Sequence, residues 1–139
     1  MRRCDITERT ETRTLRAWHA AFVQAPVPGF DWRLEQVGDA LCSVSSTDPS
    51  ILINRVMDLG SEAPPNEGQL REIRRVYDEA GIDRFFLHVV AERKGPDTDA
   101  ALAAAGYEKY RGWMKFVRGA GEVRALAYSQ RAAGLLSSR

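Results

Sequence analysis

At 139 residues, 44% hydrophobic and 28% charged, the chain has the material for one folded domain that buries roughly two-thirds of its unfolded surface, which excludes a disordered or disulfide-dependent miniature. Twenty Lys and Arg stand against 19 Asp and Glu, a net charge of +1, so no overall field recruits nucleic acid or an anionic membrane. Cys4 and Cys42 are far apart with no second pair at metal spacing, which argues against a bound metal and, with no run near the ~20 apolar residues of a bilayer span and no apolar signal core in residues 1–5, points to a cytoplasmic setting.

Residues 7–22 read as a first helix, with Leu15, Trp18, His19 and Phe22 on one face. It ends before Pro26 and Pro28, because proline disfavours helix in the residue before it. Residues 27–38, with Gly29, Phe30 and Trp32, read as a loop holding one further helical turn. Residues 40–46 alternate as a half-buried strand, and the turn 47–50 joins it to an antiparallel partner at 51–57.

The turn after that strand is acidic and carries Pro64 and Pro65; an amphipathic helix follows, with Leu70, Ile73, Val76, Tyr77 and Ala80 as its apolar stripe. Asn66 and Gln69 form a capping box at its start. Residues 85–91 are nearly continuous in apolar side chains, as in a strand covered on both faces, and the order strand, helix, strand makes it a parallel neighbour of 51–57. A short helix capped by Asp97 or Thr98 ends at Gly106, and residues 109–117 form the last clear strand. The fold class is α/β, a single domain over residues 1–118 with a mixed sheet, followed by a tail, 119–139, that reads equally as edge strand, helix or linker.

Several residues carry candidate chemistry. His88 interrupts the apolar strand and has the pKa range of a general base; a hydrogen-bonded core histidine is the competing reading. His19 and Trp32 are candidate pocket residues beside packing roles. Asn54 and Arg55 fall inside a strand and point to opposite faces, so each needs a partner, and Arg55 has the planar fork that grips a carboxylate or phosphate. No Ser or Cys has a base and orienting acid at readable spacing.

The ordered set 38–42 (Gly-Asp-Ala-Leu-Cys), 53–60 (Ile-Asn-Arg-Val-Met-Asp-Leu-Gly), 85–89 (Phe-Phe-Leu-His-Val), 104–107 (Ala-Ala-Gly-Tyr) and 113–117 (Trp-Met-Lys-Phe-Val) resembles the GNAT superfamily of N-acetyltransferases, in particular the amino-terminal, degenerate half of its two-domain members. The resemblance implies a splayed mixed sheet with helices on both faces and acetyl-CoA or another acyl-CoA in the opening between two parallel strands, beside Leu59, Gly60 and Gly68. It implies an acceptor site bordered by the first helix, with His19, Trp32 and Arg55 as candidate substrate contacts, and His88 or Tyr107 as the candidate catalytic group.

The chain departs from the family at two places. The phosphate motif Arg/Gln-x-x-Gly-x-Gly/Ala, aligned on Gly68, has Pro65 and Leu70 at its other positions, and Pro64, Pro65, Asp58, Glu62 and Glu67 offer an anion neither donors nor positive charge. The usual tyrosine acid aligns with Leu102. The expected function is therefore a GNAT-fold acyltransferase-like protein, weakly active or degenerate at its acyl-CoA site. The alternative is a non-catalytic module that takes a small molecule or a protein partner, a homodimer through the last strand and tail included, or half of a tandem protein.

Overall fold

A computed structural model describes the backbone of residues 3–110 and the side chains of residues 9–110. The chain is α/β: α1 (Arg3–Gln24), β1 (Arg33–Val37), β2 (Ala40–Val44), β3 (Arg55–Leu59), α2 (Glu67–Glu79), β4 (Phe86–Val89), a single 3-10 turn (Ala91–Arg93) and α3 (Pro96–Ala104). The sheet has the order β1-β2-β3-β4, antiparallel except for the β3–β4 pair, which is parallel with α2 as its crossover. The expected strand at 109–117 and the tail lie outside the described residues, apart from Lys109 and Tyr110, which are not in a strand.

Two strand expectations are corrected first. The segment expected as loop and helical turn contains β1, whose register with β2 closes through the two-residue turn Gly38–Asp39. Gly38 has φ 59°, the left-handed value such turns require and glycine adopts without strain. The apolar run 51–57 is a strand only from Arg55 onward. Ahead of it, local polar groups take the backbone: Ser50 N–H donates to Asp48 Oδ1, Leu52 N–H to Ser50 Oγ, and Asn54 N–H to the Ser50 carbonyl. This is the competition that Asp and Ser side chains offer to a strand ladder, and it leaves Leu52 58% exposed.

Alternation along the strands sorts their side chains into two clusters. Ala40, Cys42 and Val44 of β2 and Val56 and Leu59 of β3 pack with Leu70, Ile73, Val76 and Tyr77 of α2, all buried. Leu41 and Met57 pack with Leu15 of α1. β2, expected half-buried, is buried at every position. Within the α2 cluster the Tyr77 ring stacks on Phe85 at 3.8 Å between centroids, and its hydroxyl donates to the Ser43 carbonyl. Burial raises the pKa of Tyr77, and burial followed by Glu35 pushes the Cys42 thiol up to about 12.

Helix α2 starts as the sequence predicts, with Asn66 Oδ1 accepting the Gln69 N–H. The Gln69 side chain, however, turns away from a reciprocal box and donates to the Val37 carbonyl and to Asp39 Oδ1. At α3 the cap is Gly95 with Pro96 in the first turn, in place of the expected Asp97 or Thr98. Gly106, φ 84°, follows the helix as expected. On α1, Leu15 is buried but Trp18 is 61% exposed, so the expected apolar face is narrower than its spacing suggested.

Candidate functional site

The turn joining β3 to α2 is where the family resemblance would put a pyrophosphate. Several of its donors are already used. Asp39, in the β1–β2 turn, accepts the Glu62 N–H at 2.9 Å, the Ser61 hydroxyl and the Gln69 amide at 2.7 Å. Partial burial opposes ionisation of Asp39, but those bonds, with the backbone N–H groups of Glu62 and Ala63, outweigh it and hold its pKa below the ordinary value. Asn66 occupies the Gln69 N–H, and Pro64 and Pro65 have no N–H to give. A carboxylate of the chain thus sits where a phosphate would compete for the same donors.

The adjoining strand ends are also closed. The Val90 N–H donates to the Leu59 carbonyl at 3.0 Å, so β3 and β4 remain bonded at their carboxyl ends. Arg93 lies across Gly60, its Nε donating to the Gly60 carbonyl. A Cβ on Gly60 would come within 2.8 Å of Arg93 Cγ, and Gly60 itself has φ 88°. Of the candidate cofactor residues, Leu59 and Gly60 are therefore buried beside this closure, and Gly68 is exposed in the first turn of α2.

A second polar region lies between α1 and the β3–β4 pair. Val56 pairs with Leu87 and Leu59 with Val89, so Met57 and Asp58 together face the single residue His88. That is a β-bulge, a feature enriched beside active sites. Asp58 is the one described non-glycine residue with positive φ, at 62°, a conformation that costs roughly 1–2 kcal/mol. Its Oδ1 accepts the hydroxyl of buried Thr12 at 2.9 Å. One helical position back, Glu11 Oε1 accepts Arg55 Nη1 at 3.0 Å, with side-chain exposures of 30% and 13%.

The Arg55 Nε is buried and has no hydrogen-bond partner. An orphaned buried donor costs about 1–3 kcal/mol. Ser43 and Phe86 flank Arg55 on the neighbouring strands, and Tyr110 stacks on Phe86 at 5.3 Å.

The substrate candidates His19, Trp32 and Arg55 share the α1 side. His19 Nε2 donates to the Trp32 carbonyl at 3.1 Å, Trp32 Nε1 donates to Ser43 Oγ at 2.9 Å, and Ser43 is the strand neighbour of Arg55. The rings of Phe22, Phe30 and Trp32 close the far end, with Phe22 and Phe30 5.3 Å apart. Tyr107 is elsewhere: its hydroxyl donates to the Leu70 carbonyl, its ring faces Arg74, and burial is the largest influence raising its pKa. Asn54 anchors the preceding loop, accepting the Ser45 N–H and donating to the Asp48 carbonyl.

The sequence singled out Arg55 and His88, read Asp58 only as negative charge at the phosphate turn, where the structure instead sets its carboxylate on Thr12 of α1, and did not mark Thr12 or Glu11. The Asp in a strand next to Leu-Gly was the only written sign of the bulge.

Among the described residues no three His, Cys, Asp or Glu side chains are grouped to hold a metal ion, and no helix is long and apolar enough to cross a membrane. No protein-family model matches the chain, and it has no significant match among curated proteins or solved structures.

Proposed function

We propose that the chain is a GNAT-like module, a mixed sheet with helices on both faces, whose acyl-CoA site is degenerate and whose working surface is the α1 side of the sheet, where it binds a small ligand without catalysis. The carrying observation is the Asp39 carboxylate on the Glu62 N–H and Gln69 amide. An anion entering that turn meets like charge and finds the Glu62, Ala63 and Gln69 N–H groups taken. The β3–β4 bond through Val90 and the Arg93 cover over Gly60 support the same reading, since they fill the gap between parallel strands that an acyl-CoA would need.

The test is thermal unfolding of the chain with and without excess acetyl-CoA. Binding at 100 times the dissociation constant adds about 2.7 kcal/mol, a shift of roughly 5–15 °C at this size. No shift at millimolar acetyl-CoA is the expected result; a shift in that range overturns the reading.

A second reading, a weakly active acyltransferase, is favoured by one observation: the strained Asp58 bulge stands opposite His88. On that reading His88→Asn abolishes turnover while leaving the melting temperature nearly unchanged.

A further inference from the structure

The geometry points to Arg55 as the anchor of a carboxylate site, whose ligand is a small molecule joining a carboxylate to an aromatic or apolar body. The inference rests on the ligand-binding reading above and names its ligand class. Arginine carries five N–H donors in a planar fork, and the edge formed by Nε and the neighbouring terminal nitrogen matches the two oxygens of a carboxylate. Glu11 engages Nη1, on the other edge. The Nε–H is thus the donor of the guanidinium that is buried and unmatched. Buried donors without partners are rare, and an unmodified carboxylate on this edge satisfies it.

The surroundings select the rest of the ligand. Phe86 is the strand neighbour of Arg55, its ring stacks on Tyr110, and the Arg84 guanidinium lies 6.0 Å from the Phe86 centroid. Tyr110 is 62% exposed, so this aromatic wall opens to solvent. Phe86 is paired with Arg55 across the β3–β4 ladder, so it is the aromatic neighbour offered to a ring attached to that carboxylate, and stacking there would add to the charged contact. Nε is itself covered, so binding requires a local opening there, and the adjoining Glu11 side chain is 30% exposed. A neutral head group would leave Nε–H and Glu11 as they are and gains nothing from the fork.

The test uses the full chain labelled with 15N, following the Arg55 Nε–H resonance, assigned by its loss in Arg55→Lys. Three probes separate head from body: phenylacetate, acetate and phenylacetamide. Phenylacetate is expected to shift the Nε–H resonance saturably, acetate to do so at about tenfold higher concentration, and phenylacetamide not at all. An unmoved resonance, acetate binding as tightly as phenylacetate, or an equal response to phenylacetamide each overturns the proposal.

Arg55→Lys keeps the charge but not the fork, and is expected to weaken phenylacetate about tenfold or more, read from the Phe86 and Tyr110 ring signals. Undiminished binding contradicts the assignment. Should that variant fail to fold, Glu11→Gln decides: removing the competing carboxylate is expected to hold or tighten phenylacetate binding, and about tenfold weaker binding contradicts it. Stabilisation by acetyl-CoA would overturn the module reading while leaving these Arg55 outcomes to be read on their own.

Discussion

Along β3, neighbouring residues are held by different physics. Val56 and Leu59 have no exposed surface and belong to the α2 cluster, whose buried side chains are matched by shape and whose tyrosine has its hydroxyl satisfied. Arg55 and Asp58 turn to α1, where Glu11 and Thr12 meet them, one donor is left unmatched and one residue is held left-handed. The α2 side is built for stability. The α1 side retains strain and an unsatisfied donor that an apolar replacement would have removed, and such costs persist where surrounding structure enforces them, characteristically at functional sites.

The largest break in this comparison comes from Ile73→Ala, which should cost about 2–5 kcal/mol in denaturant unfolding because the cavity cannot collapse. Trp18→Ala on exposed α1 surface should stay within about 0.5 kcal/mol. Equal losses at the two sites would erase the distinction.

Next is Gly60→Ala, expected to cost about 2–4 kcal/mol from its left-handed backbone and the clash with Arg93. Adding Arg93→Ala should return the clash portion but not the backbone portion, so an additive double variant would show that Arg93 does not close that corner.

Asp58 sharpens the α1 side. Asp58→Ala and Asp58→Gly both lose the Thr12 bond, but glycine also releases the left-handed strain and should be more stable than alanine by about 1 kcal/mol. Equal stabilities would mean that the bulge stores no strain.

The smallest effect is in acid. Because the folded-state pKa of Asp39 is lowered, its contribution is complete above the ordinary carboxylate pKa and is lost as pH falls through the folded value. Asp39→Asn should therefore flatten the acid limb of the stability profile. An unchanged slope would show that its bonds to Glu62 and Gln69 add nothing.

The parts of the fold legible in the sequence were those set by local periodicity. The 3.6 spacing from Leu70 to Ala80, the Asn66 cap and the strand-helix-strand order located α2 and the parallel β3–β4 pair. β1 was missed because Leu34, Gln36 and Val37 alternate only briefly, and the turn signal, Gly38–Asp39, falls at its end. β3 was started too early because Ile51, Leu52 and Ile53 are apolar, and apolar content does not record that Asp48 and Ser50 claim their backbone.

The candidate site was half legible. Arg55 stood out as a charge inside a strand, whereas the bulge and the contacts of Glu11 and Thr12 depend on pairing partners 44 and 46 residues away in sequence.

The most direct measurement is an amide NMR titration of the chain with acetyl-CoA, comparing Glu62, Ala63 and Gly68 with the rest of the chain. Amides at these three positions that stay in place at millimolar ligand are the expected result, because the Asp39 carboxylate already holds the Glu62 and Ala63 N–H groups and sets negative charge beside the turn. Saturable movement of Glu62 and Gly68 would contradict it, and would mean that a phosphate displaces the Asp39 carboxylate and that the turn still binds the cofactor.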